Sequence, residues 1–279
     1  MNPVASAWRF AESTSHRLHE TPPLDKFPEF TDVVNYIAFE NNEDFAYIAE
    51  FADRLYFAIS GTKNLRASIG DFDAFPLKDP NPEKYLVYTN DSTKQGYIHN
   101  DFYTSWLNFK PTFQEYLQRF AQDKTGQKPD RKSRLGEIWK DNKLPPVIYV
   151  AHSRGSALAA LAARDAAKNL GISCSCFAFG SPRVGTKQFR EEMNALPVDY
   201  LNVHHGYEFA KYLPPEFAGF RDAGRALDLR EPWWPPISRK ITDHYYTTTT
   251  DALGKYSKQK QDAEGAHWMY DIVRKRCTI

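Results

Sequence analysis

Residues Val147 to Ala157 read VIYVAHSRGSA, and no other stretch limits what this chain can become so strongly. A short apolar run ends abruptly at Ala151-His152-Ser153-Arg154-Gly155, and an alanine-rich segment follows. This is the layout of a buried strand, a sharp turn with serine at its apex, and a helix leaving that turn. The apex is strained, so its flanks must be small to let strand and helix pass closely. Ala151 and Gly155, two residues either side of Ser153, meet that need. Such a turn exposes the serine hydroxyl and aims the free N–H groups of a helix N-terminus at the reacting centre. A plain strand joined to a helix through a serine N-cap has a similar pattern, so the reading depends on the segments up- and downstream.

With 279 residues, 42% hydrophobic and 15% aromatic, the chain can bury a substantial core, and one α/β domain over residues 1–279 is the economical expectation. Residues before Phe45 read as helical and irregular packing. Phe45–Glu50 and Arg54–Ser60 alternate around a short turn and predict a hairpin. Gly61 to Pro76 reads as a loop or short helix, and a strand follows around Tyr85–Tyr88. From Asp101 to Ala121, Phe102, Trp106, Phe109, Phe113, Tyr116, Leu117 and Phe120 recur at helical spacing. Pro111 is expected to kink or divide that helix. Gln122–Lys143 reads as an exposed polar connector.

Val147–Val150 is the strand entering the turn and Ser153–Leu170 the helix leaving it, with Gly171 as its C-terminal cap. Ile172–Phe179 reads as a strand ending in Gly180-Ser181-Pro182, Lys187 to Ala195 as a helix, and Tyr200–His204 as a strand. Phe217–Leu229 reads as a strand pair ahead of a proline- and tryptophan-rich loop. Strands separated by helices imply right-handed crossovers and a mostly parallel central sheet flanked by helices.

The formal charge of +1, without a long basic or acidic block, points away from nucleic acid and anionic membranes. No apolar stretch is long enough to span a bilayer. The first twenty residues, MNPVASAWRFAESTSHRLHE, lack the basic start and apolar middle of a secretory signal, which predicts a cytoplasmic protein, with signal-independent export as the alternative. Of three cysteines, Cys174 and Cys176 lie two apart in a strand and face one side, so they do not bridge. The pattern is neither a disulfide framework nor a zinc site, and buried thiols are the expectation.

Serine is a poor nucleophile without a histidine base and a carboxylate to orient it. On a sheet of this kind the order is serine, acid, histidine. Glu208 is the only carboxylate between Asp199 and Glu216, just past the strand Tyr200–His204. Two histidines follow it, His244 and His267, and order alone does not separate them. His99, His152, His204 and His205 precede Glu208 and read as packing or hydrogen-bonding residues. An oxyanion hole needs two donors. One is the backbone N–H of Arg154, directly after the nucleophile. The other is expected from Ile59-Ser60-Gly61-Thr62, where Gly61 allows a tight turn and Thr62 offers both N–H and hydroxyl.

Together these segments resemble the class 3 lipases, the family of fungal-type triacylglycerol lipases and related feruloyl esterases. Its F-R-G-[ST] turn is similar to Ile59-Ser60-Gly61-Thr62, its H-x-G-F segment to His99-Asn100-Asp101-Phe102, and its G-H-S-L-G-G turn to Ala151-His152-Ser153-Arg154-Gly155-Ser156. Y-G-S-P-R-V-G is nearly intact in Phe179 to Gly185. The H-x-x-D-x-V-P-x-L-P-P segment resembles His205 to Pro215, and C-terminal H-x-x-Y resembles His267-Trp268-Met269-Tyr270 ahead of Cys277.

The resemblance implies an α/β-hydrolase with Ser153 as nucleophile, His267 rather than His244 as base, Glu208 in place of the family's aspartate, and Thr62 with Arg154 at the oxyanion. It implies hydrolysis of a lipid or other ester, acylglycerols first, with phospholipids or aromatic esters as alternatives, and contact with a lipid interface. No cofactor or metal is implied. Arg154 replaces the family's leucine, with altered pocket polarity as the expected consequence. Ser60 replaces an arginine, which puts the packing of that turn in question. No N-terminal cysteine pairs Cys277 as in secreted fungal relatives. Leu65, Ile69 and Phe72 share one face of a short amphipathic helix where the family carries its lid, and a face docked permanently on the core is the competing reading. Trp233-Trp234 reads as core filling or an interfacial patch. The rival from another class is a lipase-like scaffold that binds a ligand without turnover.

Overall fold

The computed structural model describes residues 3–14, 28–41, 44–61, 86–88, 97–129, 134–204 and 210–228. Along the chain run helix α1 (Pro3–Ser13) and strands β1 (Asn35–Asn41), β2 (Asp44–Phe51), β3 (Arg54–Ile59), β4 (Leu86–Tyr88) and β5 (Tyr97–His99). Helices α2 (Asn100–Thr125) and α3 (Leu135–Asp141) lead to strand β6 (Val147–His152) and helix α4 (Arg154–Asn169). Strands β7 (Cys174–Phe179) and β8 (Gly185–Thr186), helix α5 (Lys187–Ala195) and strand β9 (Val198–His204) follow, then β10 (Phe220–Arg221) and β11 (Arg225–Asp228).

The main sheet has the order β1-β2-β3-β6-β7-β9-β11. β1, β2 and β3 form an antiparallel meander, and β3, β6, β7, β9 and β11 run parallel. The central strands β3 and β6 are buried on both faces, as strands sandwiched between helices must be. Leu55, Phe57, Ile59, Val147, Tyr149 and Ala151 face α2, α3 and α4. The alternate residues Tyr56, Ala58, Ile148 and Val150 face α1 through Ala7, Trp8, Phe10 and Ala11. Register places Ile59 beside Ala151, His152 beside Phe179, and Phe179 beside Val203. The carboxyl ends of β3, β6, β7 and β9 therefore come out along one edge, where open α/β sheets carry their sites.

Four sequence expectations are corrected. Residues 35–41 form strand β1 and not irregular packing. It is an edge strand with Tyr36 and Ala38 against one core and Phe39 against the other, so no polar face marks its period. Pro111 does not divide α2, which is continuous. The carbonyl that loses its partner to proline is that of Leu107, a residue 43% exposed on the solvent side of the helix rather than in the core. Phe109 and Phe113 carry the buried face across the proline.

The connector 122–143 is not uniformly exposed: α3 buries Leu135, Ile138 and Trp139, and the Trp139 indole donates to Pro145 O at 2.9 Å. Phe217–Leu229 is not a paired hairpin. β10 pairs with β8 in a small second sheet and β11 with β9 in the main one, while Leu229 lies outside the described residues. Gly224, at φ 75° and against the Tyr200 ring, makes the turn between them. Gly171 takes the left-handed conformation expected after α4 (φ 72°), and Cys174 and Cys176 are buried free thiols whose pKa values burial pushes up.

Candidate active site

Strand β6 ends at His152 and helix α4 begins at Arg154, so Ser153 alone turns the chain. Its backbone sits at φ 57°, ψ −135°, a conformation that a residue with a Cβ adopts only when its surroundings hold it there. The holding contacts are specific. Ser153 N–H donates to Phe179 O of the neighbouring strand at 2.9 Å, and Ser153 O accepts from Ser156 N–H at 2.9 Å. The Ser156 hydroxyl lies within reach of both Ala151 O (2.9 Å) and Phe179 O (3.1 Å), pinning the first helical turn to the ends of β6 and β7.

Small residues are needed where the turn after β3 meets the elbow. A Cβ on Gly155 would lie 2.7 Å from Ile59 O and closer still to Ser60 O. A Cβ on Gly61 would lie 3.2 Å from His152 O, 3.4 Å from Ser153 Cβ and 4.0 Å from Ser153 Oγ. The loop expected to supply the second oxyanion donor thus abuts the serine. Ser60, where the family carries arginine, packs by hydrogen bonds: Phe45 N–H donates to its hydroxyl at 3.1 Å and Ser60 N–H donates to Phe45 O at 2.8 Å. The N–H of Arg154, the first residue of α4, has no carbonyl one turn earlier in its own helix and is the donor that the elbow offers to a developing negative charge. Ser153 itself is only 5% exposed.

The structure brings together Ser153, the start of α4 at Arg154, and the turn through Gly61. Thr62, Glu208, His244 and His267 lie outside the described residues, as do Leu65, Ile69, Phe72, Trp233, Trp234 and Cys277. His204 ends β9 at the same edge as the elbow, immediately before residues 205–209. On the far side of that segment the backbone is fastened by Arg183 of Gly180-Ser181-Pro182-Arg183. Its Nη1 donates to Tyr212 O (3.1 Å) and Pro214 O (3.2 Å), its Nη2 to Glu216 (2.9 Å) and its Nε to Asp222 (3.2 Å).

Of the earlier histidines, His152 packs edge-on to Trp8, with ring centroids 6.1 Å apart. His99 is buried against Phe102 and Phe220. Burial brings its pKa down to about 4, with Asp101 opposing the fall and Arg154 adding to it. Packing is thus their described setting.

The side chain of Arg154 departs from what the sequence led one to expect. Instead of lending polarity to a pocket, it is 9% exposed and held inside the fold. Nε and Nη2 donate to the two oxygens of Asp101 at 2.8 and 3.2 Å, Nη1 donates to Asp44 Oδ1, and Nη2 also donates to Ser105 Oγ. Burial opposes the charge, but the hydrogen bonds and attraction of Asp101 and Asp44 outweigh it and raise the guanidinium's pKa. Among the described residues no group of His, Cys, Asp and Glu is arranged to hold a metal ion, and no helix is long and apolar enough to cross a membrane.

Comparison with known proteins agrees with this geometry. A phospholipase A1-IIdelta of Arabidopsis thaliana is 33% identical over 90 residues, a match covering 31% of this chain and 22% of that protein. The chain therefore spans only a fraction of that relative's length. Among solved structures, a lipase from Rhizopus microsporus var. chinensis superposes with a TM-score of 0.60 at 17% identity, covering 82% of this chain and 75% of the other. A triacylglycerol lipase described as having a serine protease triad as its catalytic centre gives a TM-score of 0.58 at 17% identity, covering 82% and 78%. At such identities these likenesses establish the α/β-hydrolase fold of the fungal lipases and no more. The sequence model of the family "Lipase (class 3)" matches residues 56–217, from within β3 through Tyr212, Pro214 and Glu216, which Arg183 holds. That match covers more than half of the chain, and the chain belongs to the class 3 lipase family.

Proposed function

We propose that this chain hydrolyses carboxylic esters, acylglycerols first among them, through an acyl-enzyme on Ser153. The observation that carries the reading is the strained backbone of Ser153 at the strand–helix junction, with the Gly61 turn packed against it. A fold stores such strain where a side chain must be presented in one direction. In the reaction Ser153 Oγ attacks the ester carbonyl carbon while His267 takes its proton, and Glu208 orients the imidazole and offsets its charge. The carbonyl oxygen becomes an oxyanion that accepts hydrogen bonds from the N–H groups of Thr62 and Arg154. His267 returns the proton to the leaving alcohol as the carbon–oxygen bond breaks. Water, deprotonated by the same imidazole, then cleaves the acyl-enzyme and releases the fatty acid.

The likeness to a phospholipase A1 favours a second reading, in which the same site cleaves an acyl ester of a phospholipid. Titration of the fatty acid released from tributyrin emulsions and from phosphatidylcholine vesicles separates the two. The first reading expects the faster release from tributyrin, and the second the reverse. Release from neither, with p-nitrophenyl butyrate also untouched, would point to a binding scaffold.

A further inference from the structure

We propose that Arg154 acts through its side chain as a positioning residue, a strut that holds the first N–H of α4 at a fixed place relative to the turn through Gly61. The proposal rests on the reading of Ser153 and these two loops given above. An oxyanion site works only if its donors already stand where the negative charge will develop. The N–H of residue 154 has no partner within its own helix; its peptide is held there only through Ser153 O, which accepts from Ser156 N–H at 2.9 Å, so the fastening of the Arg154 side chain bears on where that N–H stands.

That fastening is a rigid fork. The guanidinium grips both oxygens of Asp101 and reaches Ser105, both on α2, while Nη1 reaches Asp44 at the start of β2. A planar guanidinium with several donors engaged leaves its stem little freedom. Asp44 in turn adjoins Phe45, which clasps Ser60 through two hydrogen bonds, and Ser60 precedes the Gly61 that abuts Ser153. A continuous path therefore runs from the elbow through Arg154, Asp44, Phe45 and Ser60 to the opposite loop.

The charges show that the role is one of position. One guanidinium faces two carboxylates, so the cluster carries a net negative charge, which by itself would disfavour an oxyanion nearby. The same surroundings, with its donors already committed, make this guanidinium a poor receptor for a substrate phosphate.

The test compares Asp44→Asn, Arg154→Lys and Arg154→Leu with the unaltered chain, using a soluble p-nitrophenyl ester, an alkylboronic acid that forms a tetrahedral adduct on serine, and thermal melting. Asp44→Asn keeps the shape of the site, and Arg154→Lys keeps the charge but loses the fork. Loss of the strut should lower kcat about tenfold or more, since even 1 Å of misplacement costs about 100-fold. KM should stay within about threefold, the boronic acid should weaken in parallel with kcat, and Arg154→Lys should be less damaged than Arg154→Leu. Folded variants with kcat and boronic-acid affinity near wild type would overturn the proposal, whatever their melting temperature. So would a rise in KM alone, or failure of all three variants to fold, either of which would mean a different role. If Ser153→Ala is inactive while these variants keep their kcat, only the strut fails; if Ser153→Ala stays active, the reading of the site fails first.

Discussion

Gly155→Ala is the most informative single change near the elbow, because the space for its methyl can be measured. The new Cβ would stand 2.7 Å from Ile59 O and from the Ser60 carbonyl carbon, and nearer still to Ser60 O. An unstrained carbon–oxygen contact is about 3.3–3.6 Å. Helix α4 and the end of β3 must therefore part by roughly 0.7 Å or more, and the obstructing atoms are backbone that cannot swing aside. Overpacking of this kind costs about 1–3 kcal/mol, against which alanine recovers up to about 1 kcal/mol of helix propensity. The melting temperature should fall by a few degrees, on the scale of about 2–4 °C per kcal/mol for chains of similar size. Activity should fall much further, about 100-fold in kcat/KM, because the displacement separates the Arg154 N–H from the turn through Gly61. Gly126→Ala is the control. Gly126 has φ 71° but nothing within 4 Å of its Cβ, so it should lose some stability and no activity. Melting by circular dichroism and hydrolysis of a soluble p-nitrophenyl ester read both quantities. A Gly155→Ala protein with unchanged activity would refute the close approach of the two loops.

Three further outcomes follow from the same account. Thr62→Pro, which removes a backbone N–H, should reduce kcat by about 100- to 1,000-fold, with Thr62→Ser mild and Thr62→Val intermediate; a silent Thr62→Val would confine the role of this residue to its backbone. His99 is held neutral in the fold, its pKa lowered from 6.5 to about 4 by burial, so the unfolded chain binds the extra proton between those values. Its contribution is complete above pH 6.5 and is lost as the pH falls toward 4; urea unfolding should show about 2 kcal/mol less stability at pH 5 than at pH 7 from this group, and His99→Phe should flatten that slope. His267→Ala should slow fluorophosphonate labelling of Ser153 far more than His244→Ala, and the opposite result would move the base to His244.

What the sequence reveals here is what short-range chemistry determines. The elbow is legible because strand, apex serine, glycine and alanine-rich helix lie within eleven consecutive residues, and the structure gives Ser153 the positive φ that such a turn demands. Gly171 and the helix Lys187–Ala195 are legible for the same reason. Strand β1 is not, because an edge strand with apolar residues on both faces has no alternation to read. Helix α3 is obscured by its charged neighbours, although Leu135, Ile138 and Trp139 mark one face. The Arg154 cluster left no signal, because Asp44 and Asp101 stand 110 and 53 residues from the arginine and meet it only once the sheet has formed. The grip of Arg183 on the segment after Glu208 is likewise a product of tertiary folding.

Mass spectrometry of the chain after reaction with a fluorophosphonate probe tests the central claim most directly. If Ser153 is the nucleophile, one peptide containing it should carry the phosphonyl group, esterase activity should disappear in step with labelling, and Ser153→Ala should neither label nor turn over. Labelling of a different serine, or undiminished ester hydrolysis by folded Ser153→Ala, would contradict the account.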